Sequence, residues 1–392
     1  MKFTLSCALL LSTIGLLRGA EDAPAATAEE TTAEATEDGS GSLLIDDDDG
    51  WFDISKFVDQ AYGFVPLMIP ITEPAVGYGL VALVAFMDKP DKVVEGEAMR
   101  PNITAVGGLA TENGTWGVFG ADIRNWFDGS VESLVAAGYV DVNLRFYQAG
   151  SDPENAPSLE YNMKVPFGNV RGRYRFKGTS WSAALGYTLS RQEITITGDV
   201  LPPGVNEQNY SMNDAALAPL VTYDSRDNIF TPRSGLFAQL SASLHSEAWG
   251  GDKSFQIPKF LAFGYYPATD DLTLGLKVGA RSAHGDVPFY QLPFIQLRGV
   301  PALRYQGELA AETEAEVRWQ FYKRFSLVGF TGYGRADYDF EGVSGSESVT
   351  TYGLGFRYEI ARGYGMHMGI DIARGPESTI FYVQFGSAWF SP

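Results

Sequence analysis

The chain has 392 residues, among them 44 Gly, 25 Phe, 20 Tyr and 7 Trp, with one cysteine and a formal net charge of −19. No run after residue 20 reaches the roughly 20 apolar residues that a membrane-spanning helix needs, and a single cysteine excludes an internal disulfide. The charge is concentrated: residues 21–50 hold eleven acids and no base, so the remainder is only mildly acidic and lacks the basic footprint of a nucleic-acid-binding protein.

Taken in order, Met1 to Ala20 combines Lys2, an apolar stretch through Leu17 and the small pair Gly19-Ala20, the pattern of a secretory signal peptide. It predicts export and removal of Cys7. Residues 21–50 are dominated by Ala, Thr, Glu, Asp, Gly and Ser, too poor in large apolar side chains to offset ordering entropy, and read as a disordered acidic linker. Within it, Asp46 to Asp49 lack the spaced ligands and glycine turn of a calcium loop, so they are expected as solvated charges. Residues 51–60 predict a short amphipathic helix with Trp51, Phe52, Ile54, Phe57 and Val58 as its apolar residues.

From residue 61 to 392 the apolar period becomes two. Tyr352, Leu354, Phe356, Tyr358 and Ile360 share one face, while Gly353, Gly355, Arg357 and Glu359 share the other. Leu272, Leu274, Leu276, Val278 and Ala280 likewise oppose Thr273, Gly275, Lys277, Gly279 and Arg281. A strand with lipid on one side and a polar lumen on the other must switch in this way at every residue. About sixteen such strands fit between residues 62 and 390, many of them longer than a soluble sandwich uses. An even number returns the chain to its starting side, as a single-chain outer-membrane barrel requires. Short turns at 127–129, 177–178, 269–270 and 322–324 fall at one end; longer loops at 197–212, 246–253, 284–307 and 341–348 fall at the other. The turns at 88–100 and 112–114 break that scheme. The expected fold is therefore all-β: a membrane-spanning antiparallel β-barrel of about 16 strands, with the lipid bilayer of the outer membrane as its surroundings.

Several clusters stand out on this frame. Glu308, Glu312, Glu314, Glu316, Arg318 and Gln320 alternate with apolar residues, so the acids point into the lumen. Near the C-terminus, His367, Gly369 and Asp371 share a face. Arg298, with Gly299, lies in the long loop ahead of Glu308. A guanidinium stays charged and favours bidentate carboxylates. If the loop folds inward, Arg298 meets Asp371 or one of the glutamates; otherwise it is an exposed arginine above a generic polar lumen. The residues alone leave both open. His245 and His367 fall on lumen faces and His284 in a loop, with no marked nucleophile beside them, so no enzyme is expected. Three dispersed histidines predict neither a cofactor nor a metal.

The stretches Leu297-Arg298-Gly299-Val300, Arg304-Tyr305-Gln306-Gly307 and Glu316-Val317-Arg318 resemble the sixth loop and following strand of BamA/TamA-type barrels, the bacterial surface antigen family. Asp224, Arg226, Asp227 and Asn228, continuing through Pro232 to Gly235, resemble that family's Asp-x-Arg-Asp-Asn turn, although Asx and Pro turn chemistry explains them equally. Phe381, Val383, Phe385 and Trp389 are similar to its terminal-strand assembly signal. The resemblance implies an inward-folded loop held by Arg298 through Glu312, Glu314, Glu316 or Asp371, and a role in outer-membrane biogenesis or protein or lipid translocation. Relatives with that role usually carry POTRA domains before the barrel, whereas this sequence resembles a barrel-only branch. A passive diffusion pore is the alternative.

Overall fold

The computed structural model describes residues 43–59, 63–88, 102–147, 158–197, 209–340 and 343–389. The predicted signal peptide, most of the acidic linker and most of the predicted loops at 88–100 and 197–212 lie outside them. The first strands are β1 (Gly63–Ile71), β2 (Gly79–Met87), β3 (Ile103–Thr111), β4 (Trp116–Trp126), β5 (Val131–Tyr147), β6 (Ser158–Arg175), β7 (Trp181–Thr197) and β8 (Asn209–Asp224). Then come β9 (Gly235–His245), β10 (Phe255–Pro267), β11 (Leu272–Ser282), β13 (Leu309–Tyr322), β14 (Phe325–Phe340), β15 (Val343–Ala361), β16 (Met366–Arg374) and β17 (Thr379–Phe385). A two-residue pairing, β12 (His284–Gly285), lies beside β10. Sixteen long strands thus form one antiparallel sheet, as the alternation predicts.

Each long strand pairs with its chain neighbours. Among the described residues no ladder joins β1 to β17, so the barrel is nearly closed and carries one seam. Short turns fit their sequences: Phe127, Asp128 and Gly129 all take positive φ, as do Gly178 and Lys323. Gly235 has φ 98°, and a Cβ there would lie 2.3 Å from the Ser225 carbonyl oxygen, so only glycine starts β9 in this way.

The outer surface is apolar, with Leu354 and Met68 among its most exposed side chains. Exposed Trp126, Tyr174, Trp181, Tyr266, Trp319, Phe321 and Tyr322 lie near the short turns, the aromatic girdle of a membrane barrel. The inner surface departs from the predicted polar lumen. Val81, Leu83, Ile103, Ile123, Leu134, Val142, Met163 and Ile194, all on strands β2 to β7, are buried in one apolar cluster. That side is apolar on both faces because its inner face is a packed core, reached by Phe289, Tyr290 and Leu303 of the long loop. Polar and charged inner faces belong mainly to the later strands, where Glu312, Glu314, Glu316, Arg318, Arg357 and Asp371 are buried.

Ahead of β1, residues 43–59 form a strap against the short-turn end. The helix expected over 51–60 is confined to α1 (Ser55–Asp59), while Phe52 instead bridges Ile45 in extended conformation. Ile54 N donates to Ile360 O and Tyr358 Oη to Phe52 O, which fixes the strap to β15. Arg324, in the β13–β14 turn, binds Asp46 at 2.6 Å, Asp49 at 2.7 Å and Asp53 at 2.6 Å. Asp46 and Asp49 are therefore paired rather than solvated, because their turn curls around a buried cation; Asp47 and Asp48 stay exposed at its tip.

Hydrogen bonds from Arg324 hold the Asp49 carboxyl below the ordinary aspartate value of 3.8. Burial raises Asp53, but hydrogen bonds from Ser55, the Arg362 amide and Arg324 outweigh it and leave it lowered too. A group with a lowered folded value stabilises docking fully above its free value, and that contribution is lost as pH falls through the folded value. Protection factors for amide exchange over 43–59, taken relative to the intrinsic rate at each pH, should stay constant from about pH 7 to 5 and fall below about pH 4. Arg324→Ala should lower the protection at neutral pH as well.

Candidate functional site

The long loop between β11 and β13 folds into the lumen as a hairpin. Phe294 bridges Gln306, Ile295 N donates to Tyr305 O, and Gly307 N donates to Pro293 O. Its apolar side chains need room on the barrel wall, and glycines on the inner face of β14 supply it. A Cβ at Gly332 would fall 2.8 Å from Leu297, and one at Gly334 2.4 Å from Ile295. Ile295, Leu297, Val300 and Tyr305 then pack on Ala336 and Val349.

This hairpin delivers Arg298 to the acids. Its Nη1 lies 2.9 Å from Asp371, its Nη2 2.8 Å from Glu316, and its Nε donates to Glu314 at 3.1 Å. The guanidinium carbon sits 3.6 Å from the centre of the Phe330 ring, a cation–π contact on the remaining face. All three carboxylates are 5 % exposed or less. Asp371 also receives Arg357 at 2.6 and 2.9 Å, and Lys277 stands across from Glu314 in the β11–β13 register. Buried charge is thereby matched, which such a site requires.

Glu312, expected among the Arg298 partners, does not reach it. It forms a two-pronged pair with Arg281, both contacts 2.9 Å, and Arg281 also bonds Gln296 at 2.9 Å. Two residues along the strand from Glu314, Glu312 is shifted toward the loop end of the barrel and meets a different arginine. Gly299 has φ 90°, and a Cβ there would press on Arg374 and Gly375 at 3.1–3.2 Å.

The loop also spans the seam. Gly299 N donates to Tyr382 Oη of β17 at 3.0 Å, and Ala302 N donates to Glu73, just after β1, at 3.1 Å. Arg304 and Tyr305 both bind Glu377 in the β16–β17 turn. Farther along, Tyr290 donates to Gln192, and Gln291 donates to Asp214, which also pairs with His245. Neither Glu73 nor Glu377 carries a sequence signal, since each is a lone acid in a turn.

The 224–235 turn plugs the short-turn end. Asp224 and Arg226 pair at 2.8 and 2.6 Å, with Arg226 over the rings of Phe237 and Phe263. Asp227 caps the amides of Arg233 and Ser234, and Asn228 caps those of Phe230 and Thr231, which is Asx-turn chemistry. The turn is also tied to the site strand, because Arg318 donates to Pro232 O at 2.6 Å. A cavity of about 340 Å³ beside it is lined by Asp227, Arg233, Arg318, Ser326, Glu359 and His367 among others. The described residues hold no group of three or more His, Cys, Asp or Glu placed for a metal.

The residues of the terminal-strand resemblance divide. Phe381 stays outward on β17, but the chain turns at Gly386, φ 72°, and Trp389 is buried inside. Its ring packs with Phe237, Phe263 and Tyr265, and its Nε1 donates to Glu314. The glycine and serine after Phe385 break the alternation, and that break is the signal for the inward turn.

Gly299→Ala should loosen the loop while leaving the barrel folded, read as new protease cleavage within 285–307 at unchanged heat-modifiable gel mobility. The left-handed backbone and the 3.1 Å approach together predict a cost of roughly 1–3 kcal/mol.

No curated protein matches the sequence. Among solved structures, BamA from Haemophilus ducreyi lacking POTRA domains 1–3 superposes with TM-score 0.55 at 12% identity, over 85% of this chain and 76% of that one. CdiB from Escherichia coli gives 0.53 at 11%, and CdiB from Acinetobacter baumannii 0.51 at 9%, each over 82% of this chain. The chain spans only 61% and 58% of those two proteins, and such identities show a shared fold. The model of the Omp85 superfamily domain matches residues 124–385, about two-thirds of the sequence and the part that holds the Arg298 loop and its acids. The chain belongs to the Omp85 superfamily.

Proposed function

We propose that the protein works in outer-membrane biogenesis as a BamA/TamA-type barrel, offering the unpaired edges of β1 and β17 to an incoming polypeptide strand while the Arg298 loop keeps the lumen shut. The seam carries this reading. Free strand edges are templates for β-augmentation, and proteins that do not use them cover or blunt them. β1 contains Pro66 and Pro70, each without an amide hydrogen, which suits an edge strand.

The alternative, a passive diffusion pore, needs an open lumen. Among the described residues the inner face of the early strands is a packed apolar core and that of the later strands is crossed by the loop, which argues against a wide aqueous path. An Arg298-held loop should give small, erratic conductance in planar bilayers, where a porin should give steady large steps. Removing the guanidinium strands Glu314, Glu316 and Asp371 beside the remaining Arg357 and Lys277, a loss of about 3–5 kcal/mol from the loop's hold. Arg298→Ala should therefore raise conductance and protease sensitivity at 285–307; no change in either measurement rejects the latch.

The seam is tested separately. In a Cys7→Ser background, Met68→Cys and Phe381→Cys, both outward on the two edge strands, are joined by a flexible bis-maleimide. The bridged protein in vesicles should lose its ability to fold an added outer-membrane barrel polypeptide, and when the bis-maleimide spacer carries a disulfide, cutting that disulfide with a reductant should restore it. Equal activity with and without the bridge removes the seam from the mechanism.

A further inference from the structure

We propose that the strap at residues 43–59 is a membrane-interface anchor, whose apolar edge of Leu43, Leu44, Ile45, Phe52 and Phe57 seats in the lipid leaflet at the short-turn end. Each of these side chains is between 39% and 44% exposed, within a segment of only seventeen residues. Scattered exposed apolar residues are ordinary, but five in one short strap, with Ile45 and Phe52 adjoining across the bridge, are more than scatter.

Three observations set what covers this row. The first is orientation. Ile45 and Phe52 are opposed across an antiparallel bridge and so share a face, while Asp53 next to Phe52 points the other way, 4% exposed, onto Arg324. At the bridge the strap is thus two-sided, with Asp53 turned inward and Ile45 and Phe52 outward. The second is continuity with the lipid-facing wall. Trp51 packs edge-on against Tyr322 at 6.5 Å and Phe325 at 5.3 Å, and Tyr358, on the outward face of β15, donates to the Phe52 carbonyl. Phe52 therefore lies outside the barrel, beside the aromatic girdle that already marks the membrane boundary. The third is charge. Asp46, Asp47, Asp48, Asp49 and Asp53 meet Arg324, Arg362 and Lys56, and Lys323 lies 5.6 Å from the Trp51 ring, so a strap rich in aspartate is close to neutral where it approaches lipid.

Interfacial segments of this kind bind by burying an apolar face at the headgroup boundary while polar groups stay wet. Asp47 and Asp48, at the exposed tip of the turn, supply the wet side. Arg324 has a structural purpose in this scheme: it gathers the acids away from the face that meets lipid. The inference needs only that the barrel spans a membrane, and stands apart from any role in polypeptide assembly.

The test places a single cysteine at Phe52, Phe57, Asp48 or Phe321 in the Cys7→Ser full chain, each carrying an environment-sensitive fluorophore. The proteins are reconstituted in phosphatidylcholine and phosphatidylethanolamine vesicles containing lipid spin-labelled near the headgroup. Labels at positions 52 and 57 should be quenched to at least half the extent of the girdle reference at 321, with the label at 48 unquenched. Adding Arg324→Ala should reduce quenching at 52 and 57 by at least twofold and leave 321 unchanged, which also shows that the barrel is intact. Labels at 52 and 57 that behave like the label at 48 overturn the proposal, including the case in which a protein partner covers the strap, since these vesicles contain none.

Discussion

A permanently charged arginine, buried inside a membrane barrel, is the constraint that shapes this structure. Arg298 cannot shed its proton, so it can be placed in the lumen only where carboxylates wait for it. Glu314 and Glu316 come from β13 and Asp371 from β16, three strands along the sheet, and its curvature turns them toward one another. Those acids are in turn uneasy without Arg298. The same mutual need extends to Arg357, which shares Asp371, and to the Trp389 indole, which shares Glu314. Loop, wall and chain end therefore form one buried network rather than separate features.

That network explains why the two sides of the lumen differ. Where the hairpin carries its charged tip, the wall is acidic and supplied with glycines at 332 and 334 that admit Leu297 and Ile295. Where its apolar base arrives, Phe289, Tyr290 and Leu303 join a hydrophobic core built from the inner faces of the early strands. A filled interior and an unpaired seam are complementary. The hairpin lies across both edges, held to β17 by Tyr382 and to the chain beyond β1 by Glu73. An interior brace of this kind keeps the two edge strands close without a ladder between them.

The rim at the short-turn end follows the same logic of a cation gathering acids. Arg324 organises the strap as Arg298 organises the loop, although one sits at the water boundary and the other in the lumen. Each converts a run of like charge into a defined surface. At the rim, the product is an apolar edge turned outward; in the lumen, it is a braced hairpin.

Strand content, strand number and the outward faces were legible in the sequence, because alternation is a local property and lipid imposes it on every strand. The inward direction of Glu314, Glu316 and Asp371 was legible for the same reason, and the resemblance to BamA/TamA-type barrels rested on residues 297–307 and 316–318, with the 224–235 turn and the terminal segment beside them. Alternation failed on the early strands, where both faces are apolar: a residue cannot announce whether it faces lipid or a packed interior. The partners of Arg298 were decided only in three dimensions, since Glu312 has the same parity as Glu314 yet meets Arg281. Trp389 has the composition of a lipid-facing girdle residue, and only the turn at Gly386 sends it inward. Asp46 and Asp49 read as solvated because nothing near them in the chain is basic; Arg324 lies some 275 residues away and meets them only because β13 and β14 turn beside the strap. The sequence by itself determined which side chains are able to face inward. Which of them touch was settled by the curvature of the sheet and the inward fold of the loop, because distance across a lumen depends on strand register and hairpin placement, and neither is written in any single strand.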